Sequence, residues 1–210
     1  MIEIIIGTGN PGKEEQIRFA LSSTKIKLRG LRDYDTTGIK VVEDGVTAQE
    51  NASKKALAYS KGLQSPVLAM DNALYLEGLD ETMQPGINVR RIKGRQDRPT
   101  DEELLDYYSE LIGSLGESIS GYWLFAVCIA LPDGRIFETE IKSPRRFVSK
   151  PSGKTIPGYP IESLQIDPET GKYISEMTDE EKESFWQRLI GKELSAFVNE
   201  TIKKFRNYSI

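Results

Sequence analysis

Donor and cationic side chains near the start of the chain have the spacing of a phosphate-binding turn. Thr8, Asn10 and Lys13 follow the β-branched run at residues 2–6 in the pattern Thr-x-Asn-x-x-Lys. Pro11 suits the first position of a helix, and Asn10 suits the capping position before it. Because the start of a helix presents backbone N–H groups and the positive end of its dipole, it attracts anions. The sequence therefore predicts a strand, an anion-binding turn and a helix, with Lys13 one turn into that helix.

The same turn also has the glycine spacing of a dinucleotide-binding fingerprint, so an oxidoreductase is an alternative function. Gly7, Gly9 and Gly12 fit Gly-x-Gly-x-x-Gly, and Asp33 falls where a ribose-binding acid is expected, about 20 residues further on. Pro11, however, fits poorly within a tight pyrophosphate turn. The C-terminal half is also predicted to form hairpins where that fold needs further βα units. We therefore favour an anion-binding turn that does not hold a dinucleotide.

The composition narrows the chemistry that such a site can perform. The chain has 210 residues, no histidine and one cysteine, Cys128. The lack of histidine excludes Ser-His-Asp and Cys-His catalysis and histidine-ligated zinc or haem. A single cysteine excludes an internal disulfide framework. Carboxylates, lysines, backbone amides and a hard cation with oxygen ligands remain as the means of catalysis.

Charge and hydropathy indicate the setting in which the protein works. Lys and Arg number 28 and Asp and Glu number 32, so the formal net charge is −4. This balance argues against a surface that coats nucleic-acid polymers. No apolar run reaches the roughly 18–20 residues that a membrane span needs. The first residues lack a basic region and are predicted to form a strand rather than a signal peptide. We expect a soluble cytoplasmic protein without a nucleic-acid or membrane partner.

Three Thr-x-x-Glu pairs, each followed by apolar residues at helical spacing, predict the starts of three further helices. In this motif the threonine side chain accepts from the third helical N–H, and the glutamate accepts from the threonine N–H. A last amphipathic helix carries Leu194, Phe197, Val198, Ile202 and Phe205. The three pairs are Thr47 with Glu50, Thr100 with Glu103, and Thr178 with Glu181.

Apolar runs between these helices predict strands, and their order sets the fold class. After the first strand, strands are expected at 25–28, 66–70, 122–131 and 136–141. The turn Pro132-Asp133-Gly134 joins the last two as a hairpin. The stretch 143–173 holds five prolines and is expected to be mostly loop. We predict one α/β domain over residues 1–210, with a mixed central β-sheet flanked by helices and two lobes around a cleft.

Four further segments follow the N-terminal turn in an order and spacing that resemble one known family. They are Glu-Asp-Gly-Val-Thr-Ala-Gln-Glu-Asn-Ala-Ser-Lys-Lys-Ala at 43–56, Leu-Ala-Met-Asp-Asn-Ala-Leu at 68–74, Pro-Gly-Ile-Asn-Val-Arg at 85–90, and Glu-Met with Glu-Glu-Lys within 176–182. Together with Thr-x-Asn-x-x-Lys they resemble the inosine triphosphate pyrophosphatase family, the Ham1/RdgB-like nucleoside triphosphate pyrophosphatases. The resemblance spans nearly the whole chain. It implies that family's fold, hydrolysis of a nucleoside triphosphate to the monophosphate and pyrophosphate, Mg²⁺ as cofactor, and a homodimer.

The resemblance also implies roles for individual residues. Glu43 and Asp71 would hold the Mg²⁺, and Asp71 would also activate the attacking water. Lys13 and Lys55 would be the catalytic cations that bind the triphosphate. Cleavage between the α and β phosphorus needs charge neutralisation, a divalent cation and an oriented water. These side chains can neutralise the charge, hold the cation and orient the water. The further substrate-binding residues are Thr8, Gly9, Asn10, Asn51 and Asn72, with Tyr159 stacked on the base and Arg188 at the edge of the base.

This sequence departs from the family pattern where the base is read. The family's Gly-Phe-Gly-Tyr/Trp-Asp-Pro loop corresponds to Ile-Pro-Gly-Tyr-Pro at 156–160, which lacks the Asp. The family's Ser-His-Arg falls on Trp-Gln-Arg at 186–188, which keeps only the Arg. In the strand before Asn72, Met70 stands where the family has an Asp. The preferred base, standard or modified, is therefore left open. A nucleotide-binding protein of the same fold with little or no catalysis remains an alternative.

Overall fold

The computed structural model describes residues 3–207 of the chain, in which helices flank one six-stranded β-sheet. The strands are β1 (Glu3–Ile6), β2 (Lys27–Gly30), β3 (Val67–Leu76), β4 (Ser118–Ala130), β5 (Ile136–Val148) and β6 (Gln165–Ile166). Their order in the sheet is β2-β1-β3-β4-β5-β6, with β1 parallel to both β2 and β3, and β5 antiparallel to β6. The predicted fold class, α/β with a mixed central sheet, is confirmed.

The helices begin where the capping patterns predict. They are α1 (Pro11–Leu21), α2 (Ala48–Leu63), α3 (Asp101–Leu115), α4 (Asp179–Trp186) and α5 (Lys192–Asn207). The side chain of Thr47 accepts from the backbone N–H of Glu50 at 3.1 Å. Thr100 and Thr178 each form the complete reciprocal box with the glutamate three positions on. A π-helical turn, Gln187–Gly191, joins α4 to α5 and was not predicted.

The described residues divide into two compact units. The first comprises 3–72, 125–141 and 183–207, and the second comprises 73–124 and 142–182. Strands β3, β4 and β5 each contribute residues to both units. The single domain over 1–210 stays a prediction.

The first unit contains β1 and the first part of β3, which pair through buried apolar residues. Ile5 and Ile6 lie opposite Val67 and Leu68 in the parallel register, and all four are essentially inaccessible to solvent. Continuous apolar runs of this kind are typical of parallel strands that are covered on both faces. Gly7 extends the pairing, because its N–H donates to the carbonyl of Leu68 at 2.7 Å. The turn after β1 therefore lies directly beside β3.

The second unit has its own core, formed by α3 with the later part of β3 and the end of β5. Leu74, Tyr108, Ile112 and Phe147 are buried in one apolar cluster. The hydroxyl of Tyr108 donates to the carbonyl of Val89 at 2.9 Å, so this polar group is satisfied although it is buried.

Three strands are longer than predicted. The predicted start of β4 at residue 122 is wrong, because the strand begins at Ser118. The predicted end of β3 at residue 70 is wrong, because the strand continues to Leu76 and places Asp71 within it. The prediction of loop is wrong for 143–148, which belong to β5. Buried and exposed residues alternate there, and Phe147 pairs with Gln165 of β6. Pairing within the sheet keeps these segments extended although they contain polar residues and an exposed proline. Such pairing involves residues distant in sequence, so local sequence patterns do not reveal it.

Two smaller differences concern the N-terminal strands. β2 covers Lys27–Gly30 rather than 25–28, because Leu28 pairs with Ile4 of β1 and fixes the register. The predicted contribution of residue 2 to the first strand lies outside the described residues.

Within 3–207, none of the helices has the length and apolar character required to cross a membrane.

Candidate active site

The turn between β1 and α1 presents a capped helix start to its surroundings. Oδ1 of Asn10 accepts from the N–H groups of Gly12 at 3.0 Å and Lys13 at 3.4 Å. The hydroxyl of Thr8, itself buried, accepts from the N–H of Asn10 at 3.1 Å. At Gly9, a Cβ placed on the backbone would have no heavy atom within 4 Å, so the backbone there is open to a ligand. Thr8 and Asn10 therefore shape the turn, and Gly9 leaves room beside it.

Helix α2 directs two adjacent lysines to different surroundings. The ammonium of Lys54 pairs with Asp44 at 2.5 Å, and both side chains are largely exposed. Lys55 is buried, and its ammonium lies 2.8 Å from Oε2 of Glu43. Successive helical residues are rotated by about 100°, so the two neighbouring lysines meet different surroundings. The inward one is Lys55, as the predicted site requires.

Lys13, Glu43, Lys55 and Asp71 lie together and form what we call the charge cluster. Nζ of Lys13 is 2.9 Å from Oδ1 of Asp71, and Nζ of Lys55 is 3.8 Å from the same oxygen. The exposed fraction is 18% for the Lys13 side chain, 14% for Asp71 and 8% for Lys55, whereas Glu43 is 47% exposed. Two ammonium groups and two carboxylates thus meet in a mostly buried place where helix α1 begins. Their formal charges cancel.

Burial affects the lysine at the start of α1. Removal from water lowers the pKa of Lys13, the attraction of Asp71 opposes that change, and the repulsion of Lys55 adds to it. The ammonium therefore depends on a nearby anion for its stability. In this structure that anion is Asp71, and a phosphate oxygen would meet the same requirement.

The loop that carries Glu43 is fixed by the first turn of α2. Oδ1 of Asn51 accepts from the N–H of Gly45 at 2.8 Å, and Oε2 of Glu50 accepts from the N–H of Val46 at 2.8 Å. A Cβ at Gly45 would lie 2.7 Å from Oδ1 of Asn51, so this approach requires glycine. The structure thus places Asn51 on the loop backbone rather than in the charge cluster. Its predicted substrate contact stays a prediction.

Asn72 follows Asp71 in β3, and its side-chain oxygen lacks a hydrogen-bond donor within the described residues. Its Oδ1 is buried and has no hydrogen-bond partner within the described part of the chain. A buried acceptor left unpaired costs roughly 1–3 kcal/mol. A hydrogen-bond donor on a ligand would recover that free energy, which supports the prediction that Asn72 contacts substrate.

The two residues predicted to contact the base belong to different units. Tyr159, in the second unit, is half-buried and follows Gly158, whose φ of +81° favours glycine. The sequence did not indicate that Arg90 and Asp101 hold this loop. Nη1 of Arg90 donates to the Gly158 carbonyl at 2.6 Å, and the Gly158 N–H donates to Oδ2 of Asp101 at 2.5 Å. The loop backbone before Tyr159 is therefore anchored.

Arg188 lies in the π-helical turn of the first unit. Its guanidinium carbon is 5.8 Å from the centre of the Phe185 ring, and the side chain is exposed. The turn packs on α1: a Cβ at Gly191 would lie 2.8 Å from the carbonyl oxygen of Ala20. Single π-helical turns inside α-helices are frequent at functional sites. No local sequence pattern predicts one.

The donor set of the charge cluster fits a hard cation that arrives with phosphate. Among residues 3–207, no group of three or more His, Cys, Asp or Glu residues could form a metal cage. Glu43 and Asp71 instead offer two carboxylates within 4 Å of the Lys55 ammonium. Mg²⁺ in proteins is commonly held by one or two carboxylates, with waters and substrate phosphates as the other ligands. The residues present match that pattern.

Comparison with known proteins gives matches over almost the whole chain. The model of the Ham1 family matches residues 4–194. A dITP/XTP pyrophosphatase of Thermus thermophilus is 31% identical over 198 residues, covering 94% of this chain and 90% of that protein. A dITP/XTP pyrophosphatase of Geobacillus kaustophilus is 30% identical over 188 residues, covering 90% of this chain and 89% of that protein.

Solved structures match the fold at lower sequence identity. The Ham1 protein of Staphylococcus aureus superimposes with a TM-score of 0.68 at 20% identity, covering 94% of this chain and 99% of that chain. A HAM1 protein from Coxiella burnetii gives a TM-score of 0.69 at 22% identity, covering 95% and 100%. These likenesses support the fold, and the sequence matches confirm the resemblance drawn from the motifs. The match of the family model and the identity to the two pyrophosphatases show that the chain belongs to the Ham1 family.

Proposed function

We propose that this chain hydrolyses non-canonical nucleoside triphosphates of the dITP and XTP kind to the monophosphate and pyrophosphate. The similar proteins named dITP/XTP pyrophosphatases supply the substrate class. The observation that carries the proposal is the charge cluster, in which two mostly buried lysines and two carboxylates meet at the start of α1. One water is consumed for each triphosphate cleaved between its α and β phosphorus atoms.

The residues of the charge cluster have different roles in this reaction. Lys13 and Lys55 bind phosphate oxygens and neutralise the charge that develops on the leaving pyrophosphate. The backbone of the turn at Gly9 approaches the phosphates, with Thr8 and Asn10 holding its shape. Asp71 accepts a proton from the attacking water as general base.

The cofactor assigned to this site is Mg²⁺, held by Glu43 and Asp71. When bound, it neutralises phosphate charge and makes a coordinated water more acidic. Asn72 donates to or accepts from the substrate close to the phosphates, and Asn51 keeps the Glu43 loop in place. The choice of Mg²⁺ rests on the hard oxygen donor set.

Base recognition is assigned to Tyr159 and Arg188. Tyr159 would stack on the base and Arg188 would lie at its edge, by resemblance to the family motifs. The anchored Gly158 peptide supports a fixed position for the Tyr159 backbone. We also propose that the protein forms a homodimer and works in the cytoplasm, as the family resemblance and the composition predict.

The dinucleotide-binding alternative is not retained. After helix α3 the chain continues into the neighbouring strands β4 and β5, joined by a turn in which Leu131 N–H donates to the Arg135 carbonyl at 2.9 Å, rather than into a series of further βα units. Membership of the Ham1 family gives no support to an oxidoreductase.

A panel of triphosphates tests the proposed reaction. The protein is incubated with Mg²⁺ and dITP, XTP, dATP or dGTP, and the products are separated by ion-exchange chromatography. We expect monophosphate and pyrophosphate in equal amounts, formed fastest from dITP or XTP. Release of single phosphate with a diphosphate would place the cleavage at a different bond. Binding of triphosphate without product would instead identify a nucleotide-binding protein.

A further inference from the structure

The ammonium of Lys55 lies within 4 Å of both proposed metal ligands. Its Nζ lies 2.8 Å from Oε2 of Glu43 and 3.8 Å from Oδ1 of Asp71. Nζ of Lys13 adds a second contact with the same Asp71 oxygen at 2.9 Å. Both carboxylates are thus already paired with cations that belong to the chain itself.

We infer that Lys13 and Lys55 are internal counter-ions that prevent a divalent cation from binding to Glu43 and Asp71 before a polyphosphate arrives. The inference rests on the proposed function, because it concerns the same carboxylates. It adds an order of events: the cation and the polyphosphate enter together, and the lysines move from carboxylate to phosphate oxygens.

Electrostatics explains why the cation alone binds poorly. The charge cluster has no net charge, so it offers a divalent cation little attraction overall. The ammonium groups lie within 4 Å of the ligand oxygens, and their repulsion is weakly screened because three of the four side chains are mostly buried. A cation that bound both carboxylates would take from the two ammonium groups the anions with which they are paired.

A polyphosphate removes this obstacle. Its oxygens provide new anionic partners for both lysines, and a lysine ammonium on a flexible stem can shift to them without a backbone change. The carboxylates are then available to the cation, which the phosphates also help to hold. Linkage requires reciprocity: polyphosphate raises the affinity for the cation by the same factor by which the cation raises the affinity for polyphosphate.

Manganese binding by the protein alone tests the inference without any enzyme reaction. Free Mn²⁺ is measured by electron paramagnetic resonance during titration of wild type and of Lys55→Met, with no nucleotide present. We expect weak binding to wild type and at least about tenfold tighter binding to Lys55→Met, within the usual range of coupling between sites. Methionine retains the length and burial of the side chain but removes its charge.

The neighbouring lysine gives a matched control. Lys54→Met removes the same charge from the next position of α2, where the ammonium pairs with the exposed Asp44. We expect it to bind Mn²⁺ as wild type does. In the double variant Lys55→Met with Glu43→Gln, the gained affinity should disappear. Circular dichroism and thermal unfolding verify the fold, and Lys13→Met, which should shift Mn²⁺ affinity in the same direction, replaces Lys55→Met if that variant does not fold.

Two results would overturn the inference. Wild type could bind Mn²⁺ as tightly as Lys55→Met, or Lys54→Met could gain as much affinity as Lys55→Met, which would indicate a general charge effect. Pyrophosphate release by wild type tests the proposed function, independently of the Mn²⁺ titrations that test the counter-ion role. Hydrolysis with unchanged Mn²⁺ binding in Lys55→Met rejects only the counter-ion role. The expected Mn²⁺ shift without hydrolysis rejects only the reaction.

Discussion

Nζ of Lys13 lies 2.9 Å from Oδ1 of Asp71, although 58 positions separate the two residues in the chain. The contact is set by strand pairing. Ile6, at the end of β1, is opposite Leu68 of β3, so the turn that leads to Lys13 runs beside the continuation of β3 toward Asp71. Because parallel strands point the same way, a helix that starts after one strand is close to residues further along the other. The proposed site therefore depends on the register of β1 and β3.

Replacement of Asp71 by asparagine should remove catalysis while leaving triphosphate binding. The amide keeps the shape of the side chain but neither accepts a proton nor attracts a cation as a carboxylate does. We expect kcat to fall by about 10²- to 10⁴-fold, the usual contribution of a general base. Triphosphate should still bind, because Lys13 and Lys55 remain to pair with phosphate oxygens.

Steady-state pyrophosphate release separates kcat from KM in this test. Asp44→Asn is the matched control, since Asp44 is an exposed acid that pairs with Lys54 outside the charge cluster. It should retain wild-type kcat. An Asp71→Asn protein with undiminished kcat would remove Asp71 from the mechanism.

Two glycines of the N-terminal turn should respond differently to alanine. A Cβ at Gly7 would lie 2.6 Å from Cγ1 of Val67, so Gly7→Ala must disturb the contact of the turn with β3. We expect a loss of about 1–3 kcal/mol in the free energy of unfolding, as for other overpacked sites. At Gly9 nothing lies within 4 Å of the new carbon, so Gly9→Ala should change stability by less than about 0.5 kcal/mol.

Gly9→Ala should nevertheless raise KM for triphosphate, because the methyl group occupies the space proposed for phosphate. Urea unfolding followed by tryptophan fluorescence measures the stability, and the pyrophosphate assay measures KM. If KM is unchanged in Gly9→Ala, the phosphates do not approach the backbone at that residue.

Local features of the fold were predictable because they depend on neighbouring residues. Asn10 caps α1, and the Thr-x-x-Glu pairs start α2, α3 and α4, since these patterns satisfy backbone groups within one turn. The part of β3 after Met70 was missed for the opposite reason. Asp71 and Asn72 interrupt the apolar run, and the sheet stabilises them as strand residues through contacts distant in sequence.

The sequence predicts which residues form the candidate site better than it predicts how they are arranged. The residue types at Lys13, Glu43, Lys55 and Asp71 came from family resemblance, whereas their distances depend on the β1–β3 register and on the rotation of α2. The anchoring of Gly158 by Arg90 and Asp101 was not foreseen, because these residues are far apart in sequence and share no local motif. The π-helical turn that carries Arg188 likewise has no local signature.

Glu14 should make stability depend on acidic pH. Its side chain is 8% exposed and bonds to Arg18 at 2.9 Å and Arg32 at 3.0 Å. Burial alone would raise the pKa of Glu14, but the two arginines outweigh it and hold the pKa below its ordinary value. Because the folded-state pKa is below the unfolded one, the stabilisation is present at neutral pH and is lost as the pH falls below about 4.

Glu14→Gln should therefore cost about 1–3 kcal/mol of unfolding free energy at pH 7 and less near pH 3. Urea unfolding at the two pH values measures the difference. Glu15→Gln, at the next and exposed position, should differ from wild type by less than about 0.5 kcal/mol at both. An equal loss for Glu14→Gln at both pH values would show that its ionisation does not contribute.

The proposed stacking of Tyr159 on the base predicts a defect that depends on the presence of a base. Stacking on an aromatic ring contributes about 1–3 kcal/mol per base, so Tyr159→Ala should raise KM for dITP or XTP by roughly 5- to 150-fold. Tyr159→Phe keeps the ring and should behave as wild type. Inhibition by pyrophosphate, which has no base, should be the same in all three proteins.

This comparison also distinguishes stacking from damage to the loop. Arg90 and Asp101 hold the Gly158 peptide through its carbonyl and N–H, so truncation of the Tyr159 side chain leaves those bonds intact. If Tyr159→Ala weakened pyrophosphate inhibition as strongly as it raised KM, the residue would act on the phosphate side. If Tyr159→Phe lost as much as Tyr159→Ala, the hydroxyl and not the ring would be the contact, and the base would have to be bound by other residues.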